Sequence, residues 1–202
     1  SPSSASRRET LANSFLPPLI DAWFVGDCDS GTGRKITEMG CDIHGYIEYE
    51  DWTDNDGKVH RSCFGENLGT RDYSMFGLLA GVRRSGCVFE PRGLPENVSF
   101  DVKSAYHLFV IDDSADDDRD GYVRKNTANG WIESGISRRY EDRYVTNPDW
   151  HTPSWLTAKE YEQVLRAREE DKDYGNVDQE WYAILAAMKS LKNARFVFWF
   201  DS

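Results

Sequence analysis

Phe196-Val197-Phe198-Trp199-Phe200, close to the end of the chain, is the stretch that decides the fold. A continuous apolar run this short and this aromatic reads as a strand. Successive strand side chains point to opposite faces, so all five residues are buried only if a core lies on each side. Such a strand belongs in the middle of a sheet covered on both faces. Immediately upstream, Asp178–Lys192 places Trp181, Ile184, Leu185, Met188 and Leu191 on the inner face of a predicted helix. Before that, Thr157-Ala158-Lys159-Glu160 is a capping box, with Thr157 as N-cap and a helix running on to about Glu170.

Working back towards the start, Asp42–Tyr49 alternates with the period of a strand. Ile43, Gly45, Ile47 and Tyr49 share one face, and Asp42, His44, Tyr46 and Glu48 the other. Asp54-Asn55-Asp56-Gly57 has hairpin-turn chemistry, with Lys58–Cys63 as the return strand. Arg71–Val82 carries apolar residues near helical spacing, and Glu90–Pro95 is a loop bracketed by prolines. Val102–Ile111 fits a helix or a strand equally well. Asp112–Gly121 reads as a solvated acidic loop, and Gly130–Val145 as irregular and aromatic. The sum is one α+β domain over residues 39–202, with a mostly antiparallel sheet and two or three helices packed on one face.

Residues 1–38 read differently. A Ser-rich start, an apolar patch broken by Pro17 and Pro18, and a Gly/Asp/Ser loop show no sustained period. They are expected to be a non-native or poorly ordered extension, with Met39 as the natural start. Phe15–Val25 lacks the clean apolar core and cleavage site of an export signal, and no run approaches the ~20 apolar residues of a membrane span.

The 202 residues include 7 Trp, 10 Tyr and 10 Phe, too many aromatics for a disordered chain. The formal net charge of −11 argues against a broad phosphate-binding surface and against direct nucleic-acid binding, while leaving room for a local basic pocket. Solubility through self-repulsion accounts for that charge, and mimicry of a nucleic acid towards a basic partner is the functional alternative. Cys28, Cys41, Cys63 and Cys87 form no CxxC pair, and free thiols in a reducing cytosol are expected.

Familiar catalytic signatures are missing. Gly26 and Gly31 have P-loop spacing, but Thr32-Gly33 stands where Lys-Ser/Thr is required. Asp116, Asp118 and Asp120 begin a calcium-loop pattern that ends on Thr127 instead of a bidentate acid. The best candidate site starts on the first strand, where Asp42 and His44 are neighbours on one face. A carboxylate beside an imidazole holds a divalent metal, orients a general base, or forms a plain hydrogen-bonded pair. His151 is the candidate third member, with Glu48 and Asp149 as supporting carboxylates. Arg83 and Arg92 are the candidate anion-binding residues, unless they serve the chain's own acids. Ser154 is expected to serve the backbone. His60 and His107 have no partner pattern.

Met39-Gly40-Cys41-Asp42-Ile43-His44, Arg71-Asp72-Tyr73-Ser74-Met75-Phe76, Pro91-Arg92-Gly93-Leu94-Pro95, His151 with Ser154-Trp155-Leu156, and Phe198-Trp199-Phe200-Asp201 occur in that order. In these motifs the chain resembles a family of small, functionally uncharacterised proteins of tailed bacteriophages and prophages. The likeness covers roughly Met39 to Asp201, and Thr152-Pro153 departs from the family pattern. It implies a start at Met39 and a phage accessory role, and it supplies no mechanism. Two expectations stand: a binding protein that captures a host protein or phage factor, or a metal-assisted hydrolase of a phosphorylated or nucleotide-like substrate. A chain beginning at Met39 should match the full chain in circular dichroism and thermal melting, and failure to fold would overturn this placement of the start.

Overall fold

A computed structural model describes residues 40–116, 119–171 and 175–201. The predicted extension, the P-loop-like glycines, Cys28 and Asp118 of the calcium pattern lie outside these residues. In chain order the described elements are β1 (Ile43–Thr53), β2 (Val59–Leu68), α1 (Tyr73–Ala80), α2 (Phe100–Tyr106), β3 (His107–Ile111), β4 (Tyr122–Arg124) and α3 (Lys125–Glu133). Then come β5 (Arg139–Tyr140), β6 (Tyr144–Thr146), β7 (His151–Thr157), α4 (Ala158–Glu170), α5 (Gln179–Ser190) and β8 (Arg195–Phe200). The fold is α+β, with mostly antiparallel sheets.

β8 lies between β1 and β7 in a four-stranded sheet of order β2-β1-β8-β7, antiparallel throughout. All six of its residues are buried. Phe196, Phe198 and Phe200 join Ile43, Ile47 and Leu156 in a core covered by α1, α4 and α5, through Met75, Phe76, Leu79, Tyr161, Val164, Trp181, Ile184 and Met188. Val197 and Trp199 enter a second core on the opposite face, with Tyr46 and with Val102 and Tyr106 of α2. The period-2 reading of β1 therefore holds, and its polar face lies on the side of this second core. Gly45 shows how tightly the strands are held. A Cβ there would sit 2.3 Å from the Leu68 carbonyl oxygen and 2.5 Å from the Phe196 ring.

Local chemistry sets the element ends. Asp54 Oδ1 accepts from the amides of Asp56 and Lys58 in the hairpin turn, at 3.0 and 2.8 Å. Asp72 caps α1 by accepting from Ser74 and Met75, and Gly81 closes it at φ 70°. Both arms of the Thr157/Glu160 capping box are formed. Val102–Ile111 contains both predicted alternatives, since α2 ends at Tyr106 and β3 begins at His107.

Two stretches differ from expectation. The segment read as irregular holds the end of α3, all of β5 and most of β6, part of a small second sheet of order β4-β3-β6-β5. Its strands run two to five residues, too short to show a period. The stretch just before α4, to which no period assigns a strand, is β7, an edge strand. Pro153 is tolerated there because a register shift between His151 and Ser154 takes it out of regular pairing, with Thr152 at φ 49°. Among the described residues no helix is long and apolar enough to cross a membrane.

At one end of the sheet Glu48, with no exposed surface, receives the Arg195 Nε–H at 2.7 Å. Its other oxygen accepts from the Ser99 amide, which seats α2. Arg195 also donates to the carbonyls of Glu96 and Asn97, each at 3.1 Å. Burial pulls the Arg195 guanidinium down from its usual range, and the Glu48 charge opposes that. Removing one partner strands the other charge. Glu48→Ala or Arg195→Ala is therefore expected to lower stability by about 3–5 kcal/mol, while Glu48→Leu/Arg195→Met should lose clearly less than the two single losses added. Urea unfolding of the four proteins checks this.

Candidate functional site

The opposite end of the sheet holds three of the residues expected to act together. Asp201, one residue past β8, is the centre. Its amide donates to the Asp42 carbonyl at 3.2 Å, and its Oδ1 accepts the Asp42 amide at 2.8 Å. Oδ2 lies 3.0 Å from His44 Nε2, and the Asp201 carbonyl oxygen lies 3.3 Å from His151 Nε2. Asp42, His44 and His151 thus converge on one residue and tie β1, β8 and β7 together at their ends.

The two imidazoles reach Asp201 from different sides. His44 pairs in register with Trp199, stacks near it at 6.0 Å, and meets the Trp150 ring at 4.4 Å. His151 pairs with Phe200 and stacks on it at 5.9 Å. Trp199 and Phe200 belong to opposite cores. The second nitrogen of each ring is also engaged: His44 Nδ1 faces Asn67 Oδ1 at 3.4 Å, and His151 Nδ1 faces Thr152 Oγ1 at 2.9 Å. Asn67 Oδ1 additionally accepts the Tyr46 hydroxyl at 3.2 Å.

The Asp42 carboxylate turns away to Arg71, which grips it with Nε at 2.7 Å and Nη2 at 2.6 Å. That bidentate guanidinium holds the carboxyl below its ordinary range. Arg83 lies close enough to the buried Cys41 thiol to hydrogen-bond it, and its charge is felt at His151. Burial nonetheless raises the Cys41 thiol, as it does Cys63, which is pushed up to about 12. Cys41, Cys63 and Cys87 are free thiols. Arg83 thus belongs to this end of the sheet.

The other nominated residues lie elsewhere. Arg92 is bound to Glu160 through Nη1 and Nη2 at 3.0 and 2.9 Å, donates to the Trp155 carbonyl at 2.6 Å, and lies 4.1 Å over the Trp155 ring. It secures the proline-bracketed loop to the start of α4. Glu48 serves Arg195 at the far end of β1, and Asp149 is exposed beside the turn made by Asn147 Oδ1. Ser154 Oγ accepts the Arg92 amide at 3.2 Å, a backbone role as expected. His60 bonds Asp54 at 3.0 Å under Trp52, and His107 Nδ1 lies 3.0 Å from the Lys103 carbonyl oxygen. Among the described residues no three His, Cys, Asp or Glu side chains are gathered as a metal ion would need.

Residue-by-residue reading missed Asp201, Arg71, Asn67 and Trp150. The signal for Asp201 was available: two strands that begin and end the domain, paired antiparallel, bring Asp42 opposite the residue after Phe200. Asn67 and Trp150 come from strand ends and turns whose register no period reveals.

His107 and His151 are both lowered from 6.5, chiefly by burial. Each takes up its proton less readily folded than unfolded, so their contribution is complete above about 6.5 and is lost as pH falls through and below it. Carboxylates lowered from 3.8 or 4.5, such as Asp42 and Glu160, begin to lose theirs only further down. Melting temperature should therefore decline between pH 7 and pH 5. His107→Phe/His151→Gln should flatten that decline, and an unchanged slope would assign it to other groups. No family model matches the chain, and neither a curated protein nor a solved structure matches it.

Proposed function

We propose that this chain is a phage-encoded accessory protein that acts in the bacterial cytoplasm by binding a host or phage factor, without catalysis of its own. One observation carries the reading: the polar side chains best suited to chemistry are occupied within the fold. Asp42 is held by Arg71, Glu48 by Arg195, Arg92 by Glu160, and both site imidazoles face oxygens with both nitrogens. A general base needs one nitrogen free to face substrate. The ordered likeness to phage proteins supports the setting, and the net charge of −11 supports a basic surface on the partner.

The test is affinity capture from bacterial lysate, followed by titration with the purified partner. Asp112, Asp116 and Asp120 are exposed on one loop, whereas Asp113 accepts the Asn126 amide and is left intact. A saturable complex that weakens with salt and with Asp112→Lys/Asp116→Lys/Asp120→Lys is the expected result. Stoichiometric metal that disappears in Asp42→Ala/His44→Ala, together with phosphoester hydrolysis, would replace binding by the hydrolase reading.

A further inference from the structure

A cavity of about 640 Å³ lies at the end of the sheet that carries Glu48 and Arg195, far along β1 from Asp201. Arg61, Lys159, Lys189 and Arg195 line it, against a single carboxylate, Glu50. The whole chain has the reverse balance, 24 basic to 35 acidic residues. Existing ion pairs do not cancel the asymmetry. Arg195 meets Glu48, Lys189 meets Glu162 at 3.1 Å, and Arg61 shares Glu50 with Lys192 at 3.4 and 3.5 Å. Of the four cations that line the cavity three are paired in this way, which leaves Lys159 at the exposed rim as the excess charge.

We propose that this cavity binds a small phosphorylated organic molecule. Clustered cations in a concave site favour a multiply charged anion, because opposite charges focus there, and the exposed Lys159 and Lys189 supply the ammonium groups that meet it. Lys189 is half exposed, and its pair with Glu162 is of the kind that contributes little. A phosphate dianion can displace that carboxylate. Met188 and Trp155 add an apolar wall, and the volume lies within the range of small-ligand pockets and exceeds what a phosphate alone would fill. The site shares no residue with the Asp201 cluster or with the acidic loop, so it stands or falls independently of the partner reading.

Isothermal titration of the full chain with inorganic pyrophosphate and with ADP tests it, beside the variants Lys159→Glu and Lys189→Glu. Neither lysine is in a core, and circular dichroism confirms that both variants fold. The expected result is one site per chain, tighter for ADP than for pyrophosphate and weakened by salt. Each variant should weaken it by about tenfold or more, as loss of a charge-assisted contact does. No heat and no change in melting temperature at millimolar concentrations of either probe would overturn the proposal. So would binding that both variants leave unchanged.

Discussion

The burial of β8 on both faces is the constraint from which the architecture follows. Five consecutive aromatic and branched side chains cannot be covered by one layer, because the pleat sends Phe196, Phe198 and Phe200 one way and Val197 and Trp199 the other. Full burial of each large side chain is worth about 1.5–3 kcal/mol, so leaving either face open would forfeit a substantial part of a domain's stability. The chain answers with α1, α4 and α5 on one side and α2 on the other. A central strand also needs neighbours on both edges, and β1 supplies one from the start of the described domain and β7 the other from just ahead of α4.

A strand so enclosed brings its ends into the protein interior, and the ends carry polar groups. At the start of β8, Arg195 is nearly buried and requires Glu48, whose second oxygen then seats the Ser99 amide and α2. At its finish, Asp201 distributes its amide, carbonyl and both carboxylate oxygens among Asp42, His44 and His151. Both clusters satisfy buried or half-buried polar groups that would otherwise stand unpaired. His44 and Glu48 lie on the same face of β1, yet each answers to a different end of β8. A strand carrying an acid, a histidine and another acid at alternate positions resembles a catalytic face in sequence. In the fold that face also ties β1 to both ends of β8.

What could be read in advance follows the same logic. Phe196–Phe200, the alternation of Asp42–Tyr49 and the Thr157/Glu160 capping box each express one local rule over enough residues to be unambiguous, and their elements formed as expected. β5 and β6 have two and three residues, and no period exists at that length. β7 was hidden by Thr152-Pro153, whose bulge interrupts the alternation that would mark a strand. The convergence of Asp42, His44 and His151 was legible as residue types, because polar side chains at strand ends gather where strands meet. That their common partner is Asp201 depends on register, which the hydrophobic pattern fixes only once the neighbouring strands are known.

Charge separates the molecule's surfaces in a way composition conceals. A net charge of −11 suggests uniform repulsion of anions, but charges act locally within about a Debye length of 8–10 Å at physiological salt. Asp112, Asp116 and Asp120 are exposed on one loop, whereas Arg61, Lys159, Lys189 and Arg195 converge on one cavity. A net negative charge opposes an approaching anion at long range, while clustered cations attract it at contact. On the proposed reading selectivity then rests on shape, because a compact phosphorylated molecule fits a cavity of this size and an extended polyanion does not. A net negative charge and a basic cavity are therefore compatible, and under the proposed reading the cavity selects small anions.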